Sequence, residues 1–249
     1  MRFLCFIVAL SWALEASSTN LDPQQSWYQD LQRQTEPGEL IELDALDGRF
    51  AALQRRYLSR QFKGTAILVP AAGHHAANDR QVNFLRHALT LQGWNTLAIL
   101  PPNTDDDGLT ATAILQQRLA AATSMAASEG GVIIVIAKGD NAAQLNQLYL
   151  EQQLPAPAAL VLLGAYQQNA QSGLALAHSL ASQTFPLLDI IQPQDHPLAK
   201  HQLELRRQLS AQQQKAPYRQ RLLAGTDYST DRQYWLANEI RGWLSTLAL

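Results

Sequence analysis

Apolar positions along the chain follow two alternating rhythms. Residues 64–70, 93–100, 132–137, 158–163 and 185–191 are largely continuous apolar runs, the pattern of strands buried on both faces. Between and after them, 79–91, 109–127, 142–150, 174–182, 200–213 and 231–247 carry apolar residues at helical spacing. Val82, Leu85 and Leu89 share one such stripe, and Leu236, Ile240, Trp243, Leu244 and Leu247 another. A last short strand is expected at 219–223, before the closing helix. Ahead of the first buried run, 39–43 and 49–53 flank Asp47-Gly48, a pair that suits the positive φ of a tight hairpin turn. The alternation predicts the α/β class, with a mostly parallel central sheet flanked by helices, because parallel neighbours need crossover connections. Ligands of such sheets bind at the carboxyl ends of the strands, so candidate chemistry is sought there.

The first residues do not belong to this pattern. Arg2 supplies a short positive region and 3–14 an apolar stretch that ends at Glu15, too short to span a bilayer and right for an export signal. Residues 1–18 are therefore expected to be a signal peptide, cleaved after Ala16 or after Ser18 with Ala16 at −3; an uncleaved amphipathic anchor is the alternative. The expected location is periplasmic or secreted. Residues 19–38 are polar, Gln-rich and contain Pro23 and Pro37, which predicts a peripheral leader with at most a short helix at 26–33. Residues 39–249 then form a single α/β domain.

Composition narrows the chemistry. The 249 residues are 47% hydrophobic and 16% charged with a net charge of −2, which gives no basic footprint for nucleic acid or anionic lipid. Cys5, the one cysteine, lies in the signal segment, so the mature chain has no thiol nucleophile, thiolate metal ligand or disulfide.

The most informative junction is the run from Val132 to Ala143, where a strand passes into a helix through small residues. It resembles the G-x-S-x-G nucleophile elbow, laid over Ala137-Lys138-Gly139-Asp140-Asn141. Gly139 stands at the serine position and offers no side chain, although glycine accepts the strained elbow backbone without steric cost. A register shifted by one makes Asp140 a carboxylate nucleophile, at the cost of placing Lys138 where helix and strand pack closely. Asp195 follows the strand that normally precedes the triad acid, whereas Asp189 lies within that strand. The base should follow the last strand, in the loop that holds Asp227, yet no histidine occurs after His201.

Other candidates are weaker. Pro70-Ala71-Ala72-Gly73-His74-His75 follows the first central strand, where hydrolases place an oxyanion loop; His74 and His75 read as a polar loop pair, or as an anion or metal contact for one of them. Asn103 to Gly108 begins like a calcium loop, but Ile114 stands where a bidentate Glu is needed, which favours a solvated acidic loop at a helix start. His196 and His201 are five apart and fall on different helix faces. No metal site and no cofactor is expected.

Taken in order, Gly64 to Pro70, Gly93-Trp94-Asn95-Thr96-Leu97, the glycine elbow, Pro186-Leu-Leu-Asp189, Tyr218-Arg219-Gln220 and Arg241-Gly242-Trp243-Leu244 resemble a bacterial family of exported α/β-hydrolase-like proteins of unknown function. The family is related in outline to dienelactone hydrolases and lipases. The resemblance implies a three-layer sandwich and an envelope location, and supplies no activity to transfer. Family members carry a G-H-G type elbow, which Ala137-Lys138-Gly139 replaces here.

The expectation is a catalytically silent hydrolase fold that acts as a binding or interaction module in the cell envelope. Gly73, His74, His75, Lys138 and Asp140 are its ligand-binding candidates, and Gly139, Asp195 and Asp227 mark the degenerate triad. Lys138 would draw a small anionic ligand; an envelope protein is the other partner considered. The rival reading is an ester or amide hydrolase that uses Asp140 or a serine such as Ser172, which also suits the cap of helix 174–182.

Overall fold

A computed structural model describes residues 23–46, 48–102, 108–168, 170–213, 215–225 and 229–249. The signal segment, Asp47 of the hairpin turn, the acidic loop at 103–107 and the Asp227 loop lie outside the described residues, as does the side chain of Ser172.

Among the described residues eight strands form one sheet: β1 (Leu40–Ala45), β2 (Gly48–Arg55), β3 (Gly64–Val69), β4 (Trp94–Ile99), β5 (Val132–Lys138), β6 (Ala159–Leu163), β7 (Leu187–Ile191) and β8 (Tyr218–Leu222). Their order across the sheet is β1-β2-β4-β3-β5-β6-β7-β8. The hairpin is present, with Leu40 opposite Leu53 and Ala45 opposite Gly48, and β2 joins it antiparallel to β4. Every other neighbouring pair is parallel. The helices are α1 (Pro23–Gln34), α2 (Arg80–Ala88), α3 (Gly108–Glu129), α4 (Gly139–Leu150), α5 (Ala170–Ser182), α6 (Leu203–Gln213) and α7 (Thr230–Thr246).

The sheet is the middle of three layers because its strands are apolar on both faces. Successive residues of a strand point to opposite sides. Ala66 and Leu68 of β3, with Ile134 and Ile136 of β5, therefore join Leu31, Val82, Leu85, Ile240 and Trp243 from α1, α2 and α7. Ile67 and Val69, with Val135 and Ala137, pack on Leu115 and Leu119 of α3, Leu145 of α4 and Leu176 of α5. Close approach at the amino-terminal end of the sheet requires glycine. A Cβ on Gly64, whose φ is +152°, would sit 1.9 Å from the carbonyl oxygen of Val132.

Three elements differ from the sequence expectation. The leader holds a longer helix, α1, and is not peripheral, since Leu31 is 2% exposed and Trp27 and Tyr28 pack against the same core. Polar composition hid this contact, because one buried leucine on a Gln-rich helix leaves only a faint periodic signal. Helix α4 begins at Gly139 rather than near 142, with no loop after β5. The 200–213 segment divides into a 3-10 turn at Pro197–Lys200 and α6, and the turn starts on the backbone restriction of Pro197.

Candidate functional site

The site lies at the carboxyl ends of β3, β5, β6 and β7. Lys138 closes β5 with extended backbone, φ −121° and ψ 145°, and Gly139 opens α4 at φ +65°. The backbone therefore makes the sharp left-handed turn of a nucleophile elbow. A side chain at 139 would project its Cβ 3.1 Å from the Ala71 Cβ and 3.6 Å from the Tyr166 ring. The position is formed and faces the cleft, but carries no atom that could attack a carbonyl.

The loop after β3 is held against the elbow by two bonds. Buried Asn141 donates from Nδ2 to the Pro70 carbonyl at 2.8 Å, and the Ala72 N–H donates to Asp140 Oδ1 at 3.2 Å. In hydrolases of this architecture an N–H from this loop, together with that of the residue after the nucleophile, holds the oxyanion. Here the Ala72 N–H is directed to a carboxylate of the chain itself. The same carboxylate sits in the first turn of α4, where negative charge complements the helix dipole.

Lys138 is treated similarly. Its Nζ lies 3.0 Å from Oδ1 of Asp79, whose side chain is 1% exposed, and the charge expected to attract an anion is offset by that pairing. The same Asp79 oxygen accepts from the N–H groups of Gln81 and Val82 at 3.2 Å and caps α2.

Tyr166 and Gln194 complete the far wall with Asp195 and His196. Tyr166 donates its N–H to the Gly139 carbonyl at 3.3 Å, and its ring stacks on His196 with centroids 4.2 Å apart. Partial burial, and then the charge of Asp140, push the Tyr166 phenol above its ordinary pKa, so it remains protonated at neutral pH. Asp195 accepts from the Gln192 N–H at 2.7 Å, and its carboxylate packs on Gly164. Beneath this wall, wholly buried Asp189 receives Arg206 at 3.3 Å and the Tyr218 hydroxyl at 2.9 Å, while Arg206 also donates to the Ala165 carbonyl. Burial and the adjacent Asp189 charge both raise the Tyr218 pKa.

Of the residues singled out in the sequence, His74, Lys138, Gly139 and Asp195 line a cleft of about 320 Å³, and Asp140 lies against its Ala72 wall. Gly73 and His75 do not line it. His75 is 1% exposed, accepts the Ala77 N–H on Nδ1 and meets the edge of Trp27 on α1. Its pKa is lowered, mainly by burial; Asp30 opposes the shift and His74 adds to it. The cleft also uses Gln81, Tyr166, Gln194 and His196, which sequence reasoning passed over as site residues. The strand-end rule could have found Tyr166, three residues beyond β6, but no motif marks it. Among the described residues no group of three or more His, Cys, Asp or Glu is placed to hold a metal. No described helix is long and apolar enough to cross a membrane.

Strand order, three-layer packing and a left-handed turn between β5 and α4 define the α/β-hydrolase fold. Solved structures agree. The esterase domain of a Rhodothermus marinus protein superposes with a TM-score of 0.62 at 15% identity, covering 82% of this chain and 96% of that one. Est1E from Butyrivibrio proteoclasticus gives 0.63 at 11% identity, covering 85% and 99%, and dienelactone hydrolase from Anabaena variabilis gives 0.62 at 12%, covering 83% and 96%. Residues 15–114 and 107–246 match a protein family of unknown function, DUF3530, and the chain belongs to that family. Curated protein sequences contain no match to the chain.

Proposed function

We propose that this protein is a catalytically silent α/β-hydrolase fold, exported to the cell envelope, that acts there as a binding or interaction module through its elbow cleft. The observation that carries the reading is Gly139. An elbow backbone is kept at φ +65° while the nucleophile it would present is missing. Two features support it further: the Ala72 N–H is occupied by Asp140, and no histidine follows His201 to serve as triad base. The export segment at 1–18 supports an envelope location, with the mature chain beginning at residue 17 or 19.

The test is hydrolysis of p-nitrophenyl acetate and butyrate by the purified mature protein, beside Asp140→Asn and His74→Ala. No turnover above the uncatalysed rate is expected in any of the three. Turnover that falls about a hundredfold or more in either variant would overturn the reading and assign a catalytic group, Asp140 as a carboxylate nucleophile in the first case. Mass spectrometry of protein recovered from the periplasm or medium checks the second element. An uncleaved amino terminus in the cytoplasmic fraction contradicts export.

A further inference from the structure

Strand β8 ends the sheet, with β7 on one side and no strand on the other among the described residues. The Leu187 N–H donates to the Pro217 carbonyl and the Leu223 N–H to the Ile191 carbonyl, which fixes the side of β8 that faces β7. Main-chain groups alternate sides along a strand, so those of Arg219 and Arg221 also turn to β7, and those of Tyr218, Gln220 and Leu222 turn outwards. Among the described residues no backbone hydrogen bond reaches these outward groups. An edge of this kind is a template for another strand.

A groove of about 700 Å³ lies between α6 and the first three residues of β8. Arg207 and Ala211 of α6 form one wall, Lys215 and Pro217 close its end, and Tyr218 and Gln220 form the other wall. A groove between a helix and an edge strand is the arrangement by which extended peptides are captured. The peptide main chain pairs with the edge, and alternate side chains enter the groove. Leu222 shares the face of Tyr218 and Gln220 by the same alternation, and at 66% exposed it offers an apolar contact just beyond the groove.

Charge decides what kind of strand fits. No described carboxylate lines the groove, and Lys215 is exposed without an ion-pair partner among the described residues. Arg207 pairs only with exposed Glu204. On the opposite face of β8, Arg219 and Arg221 share Glu239 of α7 at 3.9 and 2.7 Å. Four cations therefore answer to two carboxylates, through exposed pairs that are weak and exchangeable. An added strand would have cations on both of its faces. A second copy of β8, paired antiparallel about a two-fold axis, would set arginine opposite arginine, which is destabilising.

We propose that the free edge of β8 and the groove beside α6 bind an extended acidic segment of a partner protein as a ninth strand. This surface is separate from the elbow cleft, and the proposal does not depend on what that cleft binds.

Two capped hexapeptides, (Glu-Val)3 and (Lys-Val)3, titrated into the full mature protein, test it. The acidic peptide is expected to bind saturably, at least about tenfold more tightly than the basic one. At saturation it should slow amide hydrogen exchange at Gln220 and Leu222 by about tenfold or more, and leave Arg219 and Arg221, already bonded to β7, less affected. Lys215→Glu combined with Arg207→Glu, both exposed and outside the core, should weaken binding by about tenfold. Equal binding of the basic peptide overturns the proposal, as does the lack of saturable binding of the acidic one up to about 1 mM. Binding that leaves exchange at Gln220 and Leu222 unchanged, or that is indifferent to the double substitution, overturns it too. So does a dimer in sedimentation of the unliganded protein that Arg219→Glu dissolves, since a second copy would then occupy the edge.

Discussion

The carboxylate of Asp140 accepts a hydrogen bond from the backbone N–H of Ala72 at 3.2 Å, across the gap where a hydrolase would stabilise an oxyanion. Loss of a nucleophile can be a single substitution, but this contact adds a second obstacle. A developing negative charge at Gly139 would find one donor engaged and a like charge beside it.

Replacement of Gly139 by serine therefore restores the hydroxyl without restoring chemistry. The new side chain must adopt φ +65° and approach the Ala71 Cβ at 3.1 Å. A loss of about 1–2 kcal/mol in denaturant unfolding is expected, with no ester turnover. Turnover in Gly139→Ser would instead reveal a working base, for which His74 and His196 in the cleft are the candidates.

Asp189 and Arg206 form a buried pair 3.3 Å apart, both fully enclosed. Asp189→Ala leaves the guanidinium buried and uncompensated, and should cost about 3–5 kcal/mol. Asp189→Leu combined with Arg206→Met should cost clearly less than the single change, because no unpaired charge then remains. A double variant as unstable as Asp189→Ala would mean that the hydrogen bonds to Tyr218 and Ala165, rather than the charge pair, hold this wall.

Acid should loosen the fold through His75 and His87, whose pKa values are both lowered first by burial. For His87 the charge of Arg86 is the next cause. A depressed folded-state pKa means that the unfolded chain binds more protons near pH 6, so stability rises with pH. The stability is complete above the unfolded value of about 6.5 and is lost as pH falls from there through the folded values. Urea midpoints at pH 7.5 and 5.5 measure it, and His75→Gln should flatten the difference. An unchanged slope in that variant removes His75 from the account.

Leu31 tests the role of the amino-terminal helix. Its side chain, 2% exposed, belongs to the same core cluster as Val82 and Leu85 of α2 and Ile240 and Trp243 of α7. Leu31→Ala should cost about 2–5 kcal/mol in unfolding free energy. A cost near zero would show that α1 is a dispensable leader, as its polar composition suggests.

The sequence by itself determined the layers and their connectivity. Short continuous apolar runs rich in Val, Ile and Leu in β3, β5 and β6 have the length and composition of strands covered on both faces, and the helical stripes between them supply the cover. Both signals are local, so they can be read from neighbouring residues. The glycine at the elbow was legible for the same reason, since position 139 follows directly from the end of the strand. What only the tertiary structure decided is pairing across long separations: Lys138 with Asp79, Ala72 with Asp140, Asp189 with Arg206, Trp27 with His75. Charge and hydrogen-bond partners depend on distances of a few ångströms that chain order does not specify. A lysine that promised a positive cleft proved to be half of an ion pair, because the fold brings the cap of α2 to the end of β5.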